Sequence, residues 1–503
     1  MSKTSLPGFD LPRRRRWRVW ALVLCGLAAR TVAGEALAVT NAVQVVDVLV
    51  TTQTCDERMP WRLSRPMTRQ GYGVVVGPGR VLTTEELIRQ ATLVELRQPG
   101  RAMKVAATLR QSDPQCNVAL LETTDAAFCR ELAPVPLAGQ VARGDQTRIV
   151  QYDDSGLRQE GTGRIIEIGV EALPSAPAAV LTCRVLSDLR VLNPGAPVFS
   201  DGYLAGMMMR YDAQHQTGFV LPAPVLSRFL LMAAEPEYQA PPSEGFSWVP
   251  LVDAVKRRYL GVPAEVGGVL IIEVATNGSV ATALQPNDVL VAWDGFALDN
   301  QGFYPDPQYG RTRLVHAIAG RHRVNDRVTL EFIRRGVRQK SAVVLQPYQE
   351  EDTLVPENTR GTPPAYLVES GLVLRELTAR YLRAGGRGLG GANLRLAHLY
   401  LAGGSRPAPA GEHLVILSGV LPDPANVGYQ ELRDELVTAV NGEPVHNLAE
   451  VCRILDRDGS LTRLRLEGRG VELALDATQR ASVNARIARA YRIPELRRCA
   501  GAR

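Results

Sequence analysis

Acyl transfer by a serine needs an imidazole that can take and return a proton near neutral pH, so the histidines are the first residues to place. The chain has six, and the first in sequence is His215. His316 and His322 fall in a helix-and-loop stretch, and His413 and His446 lie in or beside a strand or turn. None has a second ligand at the spacing a metal site uses, so packing or solvated roles are expected, with no metal and no cofactor. Seven cysteines occur without any C-x-x-C pair. No histidine lies close to any of them in the chain, so a cysteine nucleophile is not expected. Cys55, Cys116, Cys129 and Cys183 share one predicted domain; in an oxidising compartment they form disulfides of unreadable pairing, or else they are small buried thiols. Ser187 and Ser200 read as strand and turn residues outside any glycine-rich elbow.

The elements that position these residues begin with a leader. Arg13 to Arg16 and Arg18 precede an apolar run, Val19 to Ala29, and then small residues ending Ala36-Leu37-Ala38. The run is too short to span a bilayer, which takes roughly 20 residues, and the pattern predicts a signal peptide over 1–38. An uncleaved amphipathic anchor, or a lipid attached at Cys25, are the alternatives. A periplasmic or secreted location is expected, with no integral span after removal. The 503 residues allow about three domains. A net charge of +6, partly in the leader, and no basic face with interleaved aromatics argue against nucleic acid.

Linker-like stretches run from Ala234 to Ser243, from Gln349 to Pro364, and through Gly385–Gly391 and Gly403–Gly411. Between Val39 and Ala234 the patterning is β. Gly71-Tyr72-Gly73-Val74-Val75-Val76 and Val81-Leu82-Thr83 read as strands around a Gly77-Pro78-Gly79 turn. Val118 to Leu121 and Arg164 to Ile168 continue the series, which suggests an antiparallel sandwich or barrel.

Four landmarks in this region resemble the HtrA/Deg (protease Do-like) family of trypsin-like serine proteases. They are Gly71 to Glu86, Asp113-Pro114-Gln115-Cys116-Asn117-Val118-Ala119-Leu120-Leu121, Asn193-Pro194-Gly195-Ala196-Pro197, and Gly218-Phe219-Val220-Leu221-Pro222. The resemblance implies a chymotrypsin-like double β-barrel over 39–234. It also implies that the catalytic triad is degenerate. Glu86 stands where the general-base histidine belongs and Asn117 where the orienting aspartate belongs. Pro194 stands where the serine belongs, by substitution or through a short deletion that removes it. A glutamate of ordinary pKa, about 4.3, is a poor base for serine. A proline also lacks the N–H that would donate to the oxyanion. The expectation is a pseudoprotease; the alternative is an active serine-type endopeptidase with a non-standard catalytic set.

Residues 245–347 resemble a PDZ domain, through Arg258-Tyr259-Leu260-Gly261-Val262, Gly267 to Ile272, Leu284 to Leu290, Trp293-Asp294-Gly295 and Arg327 to Phe332. Peptide capture by β-augmentation would then fall to Tyr259, Leu260, Gly261 and Val262. A more divergent PDZ-like module spans 360–480, with Val437-Thr438-Ala439-Val440-Asn441-Gly442 echoing the Trp293-Asp294-Gly295 turn, followed by a tail, 481–503. This arrangement resembles the plant-type Deg tail. The fold class expected is mainly β, a double barrel followed by two PDZ-like α+β domains. The resemblance implies a homo-oligomeric scaffold that binds unfolded or C-terminal peptide segments of envelope proteins.

Overall fold

The computed structural model describes residues 43–499, apart from 154, 174–178, 192, 276–277, 348–352, 358–362, 385–392, 405–407, 410, 458 and 468–471. The leader over 1–38 and the glycine run 385–391 lie outside the described residues.

The first seven strands are β1 (Val45–Thr52), β2 (Met67–Gly77), β3 (Arg80–Thr83), β4 (Ala91–Arg97), β5 (Lys104–Ala106), β6 (Thr108–Asp113) and β7 (Val118–Glu122). They form one antiparallel sheet in the order β5-β4-β1-β2-β3-β7-β6. The expected hairpin closes where Gly77 pairs with Arg80 across Pro78-Gly79. The next six close into a barrel, β10-β13-β12-β11-β8-β9. They are β8 (Gln146–Tyr152), β9 (Arg158–Ala172), β10 (Ala179–Ser187), β11 (Pro197–Ser200), β12 (Tyr203–Asp212) and β13 (Thr217–Pro222). One core runs through both halves, joining Tyr72, Val74 and Leu82 to Ile149, Val198, Met207 and Leu221. Tyr72 stitches them: its ring is fully buried, and its hydroxyl donates to the Tyr152 carbonyl at 2.6 Å while accepting from the Tyr152 N–H at 3.2 Å. Tyr72 thus ties β2 of the first half to β8 of the second.

After the helix Ala223–Ala233 comes a third sheet, in the order β14-β15-β16-β20-β21 with β17 on β16. Its strands are β14 (Phe246–Pro250), β15 (Val269–Val274), β16 (Val289–Trp293), β17 (Phe296–Ala297), β20 (Arg327–Arg334) and β21 (Val337–Val344). A separate hairpin, β18 (Phe303–Asp306) and β19 (Gly310–Arg313), and a helical turn His316–Gly320 complete this module. β14 lies at the sheet's edge.

The last sheet runs β28-β27-β25-β24-β23-β22-β29 with β26 on β25. It contains β22 (Tyr366–Glu369), β23 (Leu372–Glu376), β24 (Val415–Val420), β25 (Glu435–Val440), β26 (Glu443–Pro444), β27 (Leu461–Leu466), β28 (Glu472–Asp476) and β29 (Arg497–Arg498). Its helix Leu448–Leu455 is amphipathic, burying Leu448, Val451, Cys452, Ile454 and Leu455, and starts where the Asn447 side chain accepts the Glu450 N–H at 2.8 Å. The segment expected to be a tail is part of this module. The helix Arg480–Tyr491 buries Val483 and Ile487, and β29 pairs with β22. A disulfide also ties Cys499 to Cys452. Cys55, Cys116, Cys129 and Cys183, the four cysteines for which disulfides were one expectation, are free thiols. Among the described residues no helix is long and apolar enough to cross a membrane, and no His/Cys/Asp/Glu group is arranged to hold a metal.

Candidate functional site

Glu86, Asn117 and Pro194, more than a hundred residues apart end to end, line one cleft of about 570 Å3 between the two halves. Each is held by local physics. The short helix Glu85–Ile88 has no side-chain cap of its own from Thr84. Asn117, in the β6–β7 turn at φ +52°, supplies it instead. Its Oδ1 accepts the Glu86 N–H at 2.7 Å and its carbonyl accepts the Glu85 N–H at 3.3 Å. An asparagine tolerates this left-handed backbone better than most residues. At the other end Arg69 Nη2 donates to the carbonyls of Glu86 and Leu87, at 3.3 and 3.2 Å. The Glu86 side chain is exposed. Neighbouring Glu85 is buried and grips Arg89; burial pushes its carboxyl above the usual range.

The Pro194 loop is pinned from both sides. Its carbonyl accepts the Tyr72 N–H at 2.9 Å, and the Gly195 N–H donates to the Met208 carbonyl at 2.8 Å. Gly195 has φ +84°, and a Cβ there would fall 2.3 Å from the Tyr72 oxygen, so only glycine fits. Pro194 has no N–H to offer the cleft.

The rest of the described lining is Arg69, Gln70, Leu87, Leu173, Val191, Asn193, Met208, Met209, Arg210 and Tyr211. It includes no serine, threonine, cysteine or histidine. Ser187 Oγ donates to the Thr162 carbonyl and Ser200 Oγ to the Gln146 carbonyl, at 3.2 and 2.9 Å. His215 sits in the exposed β12–β13 turn, 2.8 Å from Asp212.

Similarity to known proteins can be set against this geometry. The PDZ-domain family description matches residues 355–498. Protease Do-like 2, chloroplastic, of Arabidopsis thaliana is 27% identical over 418 residues, covering 82% of this chain and 67% of that protein. Putative protease Do-like 3, mitochondrial, of the same plant is 24% identical over 439 residues, covering 86% and 76%. A solved HtrA-type protease, an AlgW variant with a decapeptide, superposes with a TM-score of 0.50 at 18% identity, over 62% of this chain and 97% of that one. This chain is similar to HtrA/Deg (protease Do-like) proteases that carry PDZ domains. The fold is the mainly β one expected, with PDZ modules after the protease-like part.

The expected peptide-binding segment needs correction. Tyr259 ends the helix Ala254–Tyr259, and Leu260, Gly261 and Val262 form its C-cap. The N–H groups of Leu260, Gly261 and Val262 donate to the carbonyls of Lys256, Arg258 and Arg257, each at 3.0 Å. Those amides are consumed internally and none is left for a carboxylate. Val262 packs inward with Leu251 and Val289, and Tyr259 is exposed.

β14, preceded by Glu244-Gly245, is one of the two end strands of this sheet, the other being β21. In the last module the corresponding edge is taken: β22 pairs with β23 residue for residue, from Tyr366–Arg375 to Glu369–Leu372.

Another buried group has measurable consequences. His316 is 8% exposed, and desolvation holds its imidazole down at about 4, outweighing the opposing pull of Asp306. Arg321, Arg228, Tyr304 and Tyr309 complete its polar surroundings. The unfolded chain takes up this proton near 6.5, the folded chain only near 4. Folding stability should therefore fall as pH drops from about 6.5 towards 4 and level off below, by about 3 kcal/mol in full. Urea unfolding at pH 7 and pH 4.5 should show this loss in the wild type and a loss smaller by about 2 kcal/mol in His316→Gln. An equal slope in both would show that the imidazole titrates normally.

Proposed function

We propose that this protein is a catalytically inactive HtrA/Deg homologue, an exported scaffold that binds extended segments of unfolded envelope proteins. The observation that carries the reading is the cleft lining: Glu86, Asn117 and Pro194 meet there, and no described lining residue is a serine, threonine, cysteine or histidine. An acyl-enzyme needs a nucleophile and a proton acceptor within hydrogen-bond reach; the described lining offers no serine, threonine or cysteine as the first and only the Glu86 carboxylate, a poor base, as the second. Asn117 has a different task, capping the helix that carries Glu86.

Peptide binding is assigned to the first PDZ module. An extended segment added antiparallel to β14 brings its C-terminus beside Glu244-Gly245. Burial pushes the Glu244 carboxyl up to about 7, with the Trp248 indole opposing. Above that pH a second carboxylate is repelled there, so internal segments of unfolded chains are preferred over free C-termini. Export is supported by the leader pattern and by the Cys452–Cys499 disulfide, a bond that persists in oxidising compartments. Self-assembly into a homo-oligomer is part of the same reading and rests on family likeness.

The test pairs two assays on the mature chain. Casein should survive incubation intact, and Pro194→Ser alone should restore no cleavage, because no histidine lines the cleft. Amide-capped unstructured peptides should bind more tightly than their free-acid forms at pH 8. Glu244→Gln should remove most of that difference, on the order of tenfold for one close like-charge contact. Cleavage abolished by Glu86→Ala or Ser200→Ala would instead establish an endopeptidase with a non-standard catalytic set.

A further inference from the structure

A cavity of about 230 Å3 lies where the second barrel, the helix Ala223–Ala233 and the first PDZ module meet. Val180 and Leu181 of β10, Val225 and Phe229 of the helix, and Ala319 of the PDZ module supply hydrocarbon walls. The polar groups reaching it are mostly committed elsewhere. Asp113 accepts the Tyr238 hydroxyl at 2.6 Å and the Gln115 N–H at 2.8 Å. Arg228 Nη2 donates to the His322 carbonyl.

His316, also in the lining, differs, and its tautomer can be deduced. Asp306 is ionised, its carboxyl held below the ordinary range by hydrogen bonds against the cost of burial. It accepts from Arg321 Nη1 at 2.8 Å and must accept from the Tyr304 hydroxyl, also at 2.8 Å. The Tyr304 oxygen, having given its proton, is left to accept from His316 Nδ1 at 2.7 Å. Desolvation keeps the ring neutral at pH 7, and this relay then puts its one proton on Nδ1. Nε2 carries the lone pair, and it has no hydrogen-bond partner among the described residues. Gly320 leaves it uncovered: a Cβ there would lie 2.8 Å from Nε2. An acceptor oriented by a three-group relay and set in a mostly apolar cavity is a recognition element for a hydrogen-bond donor.

We propose that this cavity binds a small uncharged aromatic molecule carrying one hydroxyl donor, with the O–H on His316 Nε2 and the ring among Val180, Val225 and Phe229. A cavity of about 150 Å3 with apolar walls accommodates benzene, so the larger space here suits one ring with a short substituent. Because its walls come from both the barrel side and the PDZ module, an occupant joins the two.

The probe is 4-ethylphenol, with ethylbenzene as the donor-free control, added to the full mature chain and followed by ligand-observed NMR titration. The phenol should bind, at least tenfold more tightly than ethylbenzene. His316→Phe should bring the two to similar affinity. Ala319→Trp should abolish binding of both by filling the space; Val180→Phe fills it from the opposite wall, and a thermal melt identifies which variants remain folded. No saturation transfer from either compound, or binding that persists in a folded filled variant, overturns the site. Equal affinity of the two compounds for the wild type overturns the role of His316.

Discussion

Replacing Glu57 by alanine should destabilise the protein by about 3 kcal/mol, the lower end of what removing one partner of a buried ion pair costs. Glu57 lies in the β1–β2 loop of the protease-like part and is 7% exposed. Its carboxylate meets Arg375 of β23 at 3.0 Å and Arg380 at 2.6 Å. Arg375 is 0% exposed, and burial pulls its guanidinium below the ordinary range. Without Glu57's carboxylate that cation keeps only neutral partners, the Glu57 and Glu376 carbonyls and the Tyr381 face 4.8 Å from its Cζ. The surviving carbonyl bonds are the reason for choosing the lower end. Arg375→Met should cost less, because Arg380 still neutralises Glu57. Combining Glu57→Leu with Arg375→Met should recover much of the loss, since replacing both charges by packed hydrocarbon is often neutral or better. Urea unfolding of the three variants measures this, and a change below about 0.5 kcal/mol in Glu57→Ala would mean that Arg375 is hydrated rather than clamped. The same loop sends Trp61 against Tyr366, ring centroids 5.8 Å apart, into a cluster with Val483 and Ile487. Loss of the ion pair should therefore also speed hydrogen exchange across β22.

The strands of the protease-like part were legible because alternation and tight turns are local: Gly71 to Val76 and Val81 to Thr83 sit in β2 and β3. Glu86, Asn117 and Pro194 were legible only through the resemblance to the HtrA/Deg landmarks, since no local pattern marks them as neighbours in one cleft. Tyr259 to Val262 misled because an apolar Tyr-Leu-Gly-Val string reads equally well as a strand. The contrary signal lay upstream. Asp253 precedes Ala254-Val255-Lys256-Arg257-Arg258 and its carboxylate accepts the N–H groups of Val255 and Lys256, at 2.8 and 3.4 Å, starting a helix. The helix Arg480–Tyr491 passed for a tail because only Val483 and Ile487 are buried, too few to mark a face. The contact of Glu57 with Arg375 spans 318 residues, and no local pattern encodes a pairing of that range. Cys452 and Cys499 stood in view, but their pairing depends on where β29 docks.

Breaking the Cys452–Cys499 bond should cost roughly 4 kcal/mol by loop entropy for a separation of 47 residues. The bond fastens the end of the chain to the helix Leu448–Leu455, and so holds β29 on the outer edge of β22. There Tyr366 pairs with Arg498 and Leu367 with Arg497, and the Val368 N–H donates to the Leu496 carbonyl at 2.7 Å. Cys499→Ser is the cleaner variant, since Cys452 lies in the core and shrinking it adds a cavity. Thermal unfolding of the wild type should fall to the level of Cys499→Ser when a phosphine reductant is added, and the variant should not respond. Hydrogen exchange at Tyr366 to Val368 should quicken in both the reduced wild type and Cys499→Ser, because the strand losing its cover is the one that occupies the β23 edge. An unchanged melting temperature in reductant would show that the hydrogen bonds of β29 and the burial of Ile487 hold the end of the chain unaided. The predicted response instead makes this module depend on an oxidising compartment: in a reducing one the edge strand loses its fastening, and a surface for strand pairing opens on a domain that otherwise keeps it closed.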